Sequence, residues 1–337
     1  MAPRLEVHIP ISPTPMFLRQ AWALAASLRR HGGAVGATAT VTAWVSPELP
    51  GLPDLDRLHP WARSVGLRFR WVDSALFARH WYYGTALARW ADSFDADVVL
   101  MLDADVLVCA SLDALVEQLL ASGAVYGLPA HASPLDEAEW RALFASADLP
   151  PPRLDHRPSG AGFYVHAREQ RMPAYFNLGV IAARADAMAT CGRGIVAEME
   201  RVNAFIDPAL DRARSFFRCQ LALALALARQ QVDAKALDLR DNFPNDASFE
   251  AAHPSAAAAV RLLHYLRQDR GVSKNRDFGS ARAYSGLLWR AGLVGTDALL
   301  QWRLRALGRC PLDGALQRLR MHWLQPAPQL ADPSGFI

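Results

Sequence analysis

Along the first half of the chain, short apolar runs alternate with stretches whose apolar residues recur every three to four positions. Leu5–Ile11 and residues 39–45 read as strands, and residues 17–31 between them have helical spacing that stops at Gly32-Gly33. A Pro/Gly loop through Pro53 leads to a third strand at residues 67–72 and a second helix at residues 75–93. Val98–Leu102 is continuously apolar, as expected of a strand covered on both faces. Residues 112–120 then read as a helix with Ser111 as its cap, and residues 124–128 as another strand. The order predicts an α/β sheet with parallel strands, whose ligands sit at the strands' carboxyl ends.

The second half is less regular. Residues 149–173 contain Pro150-Pro151-Pro152 and Ser159-Gly160-Ala161-Gly162, and they read as a long loop of the kind that forms lids and substrate loops. Residues 175–182 return to strand character, residues 216–228 are helical, and residues 258–265 carry His264 near their end. From residue 281 to residue 323 the pattern is helical again, broken at Gly292, Gly295 and residues 308–311. The chain divides on this reading into a catalytic domain, residues 1–275, and a basic helical extension, residues 276–337. No internal repeat is visible.

Composition narrows the function classes. The chain has 337 residues, 52% of them hydrophobic, which is enough for a sizeable core. From Arg276 onward there are eight arginines and four aspartates, a net of +4 within a total of +3, so the body carries about −1. A neutral body argues against nucleic acid as a partner. Only Lys235 and Lys274 are lysines among 36 basic residues, a bias expected of a GC-rich bacterial genome, so arginine abundance alone says little. Cys109, Cys191, Cys219 and Cys310 are scattered without metal spacing and read as free thiols of a reducing cytoplasm. The beginning of the chain reaches Glu6 and Pro10 too early for a signal peptide. The apolar run 221–228 is too short to span a bilayer and reads as a buried helix.

The chemistry centres on Asp103-Ala104-Asp105, where the apolar strand ends. Two carboxylates flanking a small residue can approach one hard cation while the chain turns, and such an ion suits a diphosphate. A strand-end Asp capping a turn is the plain alternative. A second competitor is chemical: the string LDADVLV also resembles the first motif of haloacid-dehalogenase-type phosphatases, which would make Asp103 a nucleophile. That motif opens the fold in its family, whereas about a hundred residues precede it here.

Three downstream segments favour another family. Phe176-Asn177-Leu178-Gly179 resembles the F-N-x-G segment of GT-A glycosyltransferases of the glycogenin and lipopolysaccharide galactosyltransferase type, known as family 8. Cys219-Gln220 resembles the D-Q that follows, and Leu263-His264-Tyr265 the apolar-H-F segment. Order and spacing agree over about 260 residues.

The resemblance implies a GT-A fold with a mostly parallel central sheet flanked by helices. It also implies transfer of a sugar from a nucleotide donor, a UDP-sugar, to a hydroxyl of a cell-surface glycan or lipid-linked acceptor. Asp103, Asp105 and His264 would hold Mn²⁺, or Mg²⁺; an imidazole among carboxylates suits Mn²⁺ better. Ala104, Arg89 and Gly179 would lie against the donor, Asn177 and Gln220 would face the reacting sugar, and Arg270 would clamp a phosphate in place of the family's lysine. Cys219 removes the family's carboxylate and leaves the stereochemistry open; with the altered segment that follows His264, it is also the only support for a GT-A-shaped protein that binds sugars without turnover. His156, His166 and Asp155 are the candidate bases for an inverting reaction. Arginines and tryptophans in the C-terminal helices suggest peripheral contact with the inner face of a membrane, against the plainer reading of a helical cap.

Overall fold

A computed structural model describes residues 3–90, 93–160, 169–207, 211–266 and 271–314. Ten strands form two sheets: β1 (Leu5–Ile11), β2 (Thr40–Val45), β3 (Leu67–Trp71), β4 (Val98–Leu102), β5 (Val106–Val108), β6 (Val125–Pro129), β7 (Phe176–Arg184), β8 (Ala234–Ala236), β9 (Phe243–Pro244) and β10 (Leu262–His264). The seven-stranded sheet has the order β3-β2-β1-β4-β7-β6-β8. β1 pairs in parallel with β2 through Val7↔Val41 and with β4 through Val7↔Leu100, whereas β7 runs antiparallel to both β4 and β6. The chain builds outward from β1 to β3 and then returns to the other side of β1 as β4. That reversal opens a crevice at the carboxyl ends of β1 and β4.

β4 shows why the sheet is covered on both faces. Val98, Leu100 and Leu102 enter one buried cluster, with the helix Pro15–His31, while Val99 and Met101 enter the other, with the helices Ile195–Phe205 and Arg218–Arg229. Alternate side chains point to opposite faces of a strand, so a two-sided core demands an unbroken apolar run. Tyr284, Leu287, Leu300, Leu304 and Leu312, from the helices Ala281–Trp289 and Gly295–Leu307 and the turn after them, belong to the same cluster as β1.

The second sheet is small, in the order β5-β10-β9, with β5 antiparallel to β10 through His264↔Val106. Asp103-Ala104-Asp105 is therefore the joint between the large sheet and the small one. Residues 75–93 are not one helix: Ser74–His80 and Tyr82–Leu87 are separated by Trp81 at φ +56°. The two helices approach closely enough that a Cβ on Gly84 would stand 2.6 Å from the Leu76 carbonyl oxygen. The helix after Ser111 begins at Asp113, whose N–H donates to the Ser111 hydroxyl at 3.1 Å. Within the expected loop 149–173 the described residues meet in one bridge, His156↔Met172, while Ala161, Gly162 and His166 lie outside the described residues. The helix Glu137–Ser146, opened by a capping box of Asp136 and Glu139, precedes that loop.

Candidate active site

The carboxylate pair is held by backbone bonds to β7, to β5 and to the residue that follows β10. Asp103 N–H donates to the Gly179 carbonyl on β7 at 3.0 Å, Val106 N–H to the Asp103 carbonyl at 3.3 Å, and Tyr265 N–H to the Asp105 carbonyl at 2.9 Å. These bonds turn the chain and bury Ala104 between the two acids. Asp105 is buried beneath the turn, whereas a third of the Asp103 side chain stays open to solvent. His264, at the end of β10, brings Nε2 to 3.4 Å from Asp105 Oδ1 and 4.0 Å from Asp103 Oδ2. One ligand atom from each of the three residues lies within 4.8 Å of the others, so together they could hold a metal ion.

The orientation of His264 is set from behind. Asn242 Oδ1 is 3.1 Å from His264 Nδ1, and Asn242 Nδ2 donates to Asn177 Oδ1 at 3.3 Å. Asn177 Oδ1 also accepts the Gly179 N–H at 2.9 Å. Because the Asn242 amide spends its N–H on Asn177, its oxygen faces the imidazole, and Nδ1 must carry the proton. Nε2 is then the ring nitrogen that faces the carboxylates, and it is the one that would ligate a metal ion. Gly179 packs directly against this ring: a Cβ there would overlap His264 Cε1 and Nδ1 and lie 2.7 Å from Asn177 Oδ1.

Two cations flank the carboxylates. Arg89 is buried, donates through Nε to the Ala86 carbonyl at 3.1 Å and through Nη1 to the Leu102 carbonyl at 2.9 Å, and lies 3.5 Å from Asp103 Oδ1. Lys274 Nζ sits 2.5 Å from Asp105 Oδ2. Burial alone would raise the pKa of Asp105, but Lys274 and then His264 overcome it and hold the carboxyl well below the usual range. Asp103 moves the other way: scarce water, and next the charge of Asp105, raise it against the pull of Arg89.

Cys219 is buried on the first turn of the helix Arg218–Arg229, and loss of water pushes its thiol up to about 12 despite the nearby charges of Arg89 and Arg218. It is a neutral side chain at neutral pH. Gln220, beside it, is half-buried, and its Oε1 is buried without a partner among the described residues. Arg270 lies outside the described residues. Of the candidate bases, Asp155 and His156 contact each other at 3.0 Å, and the His156 ring stands edge-on to Phe176.

Neither Asn242 nor Lys274 belongs to the sequence motifs that mark the site. Asn242 lies in a turn-rich stretch that gives no local signal. Lys274 carried one: in a chain whose basic residues are almost all arginine, it is one of only two lysines.

A family model, the Rhodobacterales glycosyltransferase domain, matches residues 11–231. The galactosyltransferase LgtC, solved in complex with donor and acceptor sugar analogs, shares the fold with a TM-score of 0.52 at 18% identity, over 94% of this chain and 99% of that one. An active-site mutant of LgtC gives the same TM-score, 0.52, at 16% identity, covering 91% of this chain and 97% of its own. No curated protein matches the chain in sequence. The fold is the GT-A fold of these glycosyltransferases.

Proposed function

The chain belongs to the Rhodobacterales glycosyltransferase domain family, and we propose that it moves a sugar from a nucleotide-diphosphate donor, a UDP-sugar, to the hydroxyl of a glycan or lipid-linked acceptor. The observation that carries this reading is the trio Asp103, Asp105 and His264 at the carboxyl end of β4, with Nε2 of His264 facing two carboxylates. Oxygen ligands with one imidazole suit Mn²⁺, or Mg²⁺ less well. Such an ion would neutralise the charge that develops on the leaving diphosphate.

The protein's own groups carry the remaining work. Arg89, fixed by two backbone carbonyls, cannot swing away and supplies a permanent positive charge beside Asp103. Arg270 would clamp phosphate oxygens with its two-pronged donor geometry. Asn177 commits its Oδ1 to Gly179 and Asn242, which leaves its Nδ2 for a sugar hydroxyl. Gln220, half-buried on the helix Arg218–Arg229, would face the reacting sugar. Cys219 is neutral and takes no part as a charged nucleophile.

The C-terminal helices support a further element of this reading. Trp289 and Trp302 are 75% and 57% exposed, with Arg305 stacked on Trp289 and Arg303 on Trp302. Exposed indoles beside guanidinium groups suit a peripheral seat on anionic headgroups at the inner face of a membrane, within reach of a lipid-linked acceptor. No helix among the described residues is long and apolar enough to cross a membrane.

The test is a thermal-shift panel of nucleotide sugars with and without Mn²⁺, followed by donor hydrolysis after chelation. A true donor stabilises the protein in proportion to its occupancy. Asp105→Ala should abolish metal-dependent hydrolysis while the circular dichroism stays native. Full turnover in that variant would remove the metal from the mechanism.

A further inference from the structure

Both metal-facing carboxylates already have a cation beside them, but the two cations are not equivalent. Arg89 is 1% exposed and bonded to the Ala86 and Leu102 carbonyls, so it stays beside Asp103 whatever else binds. Lys274 stands at the start of the helix Lys274–Phe278, and its ammonium has Asp105 as its ion-pair partner among the described residues. Its backbone is fastened: Gln20 Nε2 donates to the Lys274 carbonyl at 3.4 Å, and the N–H of Ser273 before it is held by Asp277 at 2.8 Å. The side chain is about a third exposed, on a flexible four-carbon stem. The head can therefore leave Asp105 while the base stays in place.

The geometry also says what the ammonium obstructs. Asp105 offers Oδ1 to the side of His264 Nε2, at 3.4 Å, and Oδ2 to Lys274, at 2.5 Å. A divalent ion drawn in by Asp103, Asp105 and His264 would share Asp105 with the ammonium, and two like charges on one buried carboxylate repel across a few ångströms of poorly screened protein. Removing that repulsion needs either departure of the lysine head or arrival of extra negative charge. A nucleoside diphosphate brings that charge.

We propose that Lys274 guards Asp105, making the site a poor one for a divalent ion until a nucleoside diphosphate arrives and coupling the binding of the two. The inference rests on the reading of Asp103, Asp105 and His264 as the metal site. Metal and diphosphate then bind cooperatively, each tightening the other by the same factor.

The test is calorimetric titration of Mn²⁺ into the full-length chain, as wild type, Lys274→Met and Lys274→Arg, with and without UDP. Wild type should bind Mn²⁺ weakly alone and at least about tenfold more tightly with UDP, within the usual range of coupling between sites. Lys274→Met keeps the stem and removes the charge, so it should bind Mn²⁺ alone about tenfold more tightly than wild type, and UDP should then add about tenfold less than it adds to wild type. Lys274→Arg keeps the charge and should retain the weak metal binding without nucleotide. Equal or weaker Mn²⁺ binding by Lys274→Met without UDP overturns the guard.

Uptake of no Mn²⁺ by any protein under any condition overturns the metal reading itself, and this proposal with it. Should Lys274→Met fail to fold, wild type still decides the matter, because it has only two lysines. With both lysines carrying ¹³C-methyl labels, and Lys235→Arg to assign them, the Lys274 resonance should move with Mg²⁺ and UDP together and stay in place with Mg²⁺ alone. A resonance that stays in place under both conditions overturns the proposal.

Discussion

Gly179→Ala tests the site with a single methyl group. The Gly179 φ is one that alanine adopts, so the substitution carries no backbone penalty of its own; the cost is contact with its neighbours. The added Cβ would overlap two atoms of the His264 ring and stand 2.7 Å from Asn177 Oδ1. The ring has nowhere to retreat, because β10 is pinned to β5 through His264↔Val106 and the residue is only 3% exposed. It must rotate, which breaks the 3.1 Å contact to Asn242 and turns Nε2 away from the carboxylates.

Forced overpacking costs roughly 1–3 kcal/mol, and a buried ring nitrogen stripped of its partner roughly 1–3 kcal/mol more, with partial relief as the ring relaxes. A net of about 3 kcal/mol should lower the melting temperature by roughly 5–10 °C. Disturbing the group that orients a ligand typically costs about 10–100-fold in metal affinity, and displacing the ligand itself should cost at least that much. Calorimetry with Mn²⁺ in the presence of UDP and a thermal melt read the two effects separately. Gly123→Ala is the control, since a Cβ there meets nothing within 4 Å. Unchanged melting and unchanged Mn²⁺ affinity in Gly179→Ala would refute the idea that this glycine makes room for the histidine.

Two further outcomes can be measured. Asp277 is almost wholly buried; burial opposes its ionisation, but bonds from Arg290, Arg276 and the Ser273 N–H depress its pKa from 3.8 to about 2. A folded pKa below the unfolded one means stabilisation that is complete above about pH 4 and lost as the pH falls toward 2, worth about 2 kcal/mol. Urea unfolding of wild type should therefore weaken between pH 5 and pH 2 more steeply than that of Asp277→Asn, and parallel curves would count against the assignment. For the membrane reading, Trp289→Gln combined with Trp302→Gln should abolish co-sedimentation with anionic liposomes without changing the melting temperature, both indoles being mostly exposed. Equal sedimentation would remove these tryptophans from any membrane contact. Truncation at Arg276 is a poorer probe, because it would also strip Tyr284, Leu287, Leu300 and Leu304 from the core.

The elements that the sequence made legible share one property: their burial is set by periodicity alone. β4 was readable to the residue because a strand covered on both faces must be apolar throughout, β1 because Leu5, Val7, Ile9 and Ile11 alternate with Glu6, His8 and Pro10, and the helix Pro15–His31 from residue 17 onward because its apolar stripe repeats at helical spacing. Asp103-Ala104-Asp105 was legible as chemistry because charge appears abruptly at the end of such a run. The three-residue strands β5, β8 and β10 and the two-residue β9 are too short to show any period; only their partners define them. Trp81 breaks an apolar stripe that continues across it, and the break lets Gly84 pack closely on Leu76.

Tertiary structure alone decided how the site is assembled. The resemblance suggested that His264 joins the carboxylates, but the pairing of β10 with β5 is what carries it there. No pattern pointed to Asn242 as the group that fixes its tautomer, or to Lys274 as the cation on Asp105. Those contacts join residues far apart in the chain, and a residue's partner across the fold leaves no periodic trace in its own neighbourhood. The sequence by itself determined where strands and helices form and where charge meets a buried strand's end. The fold decided which distant side chains share that charge.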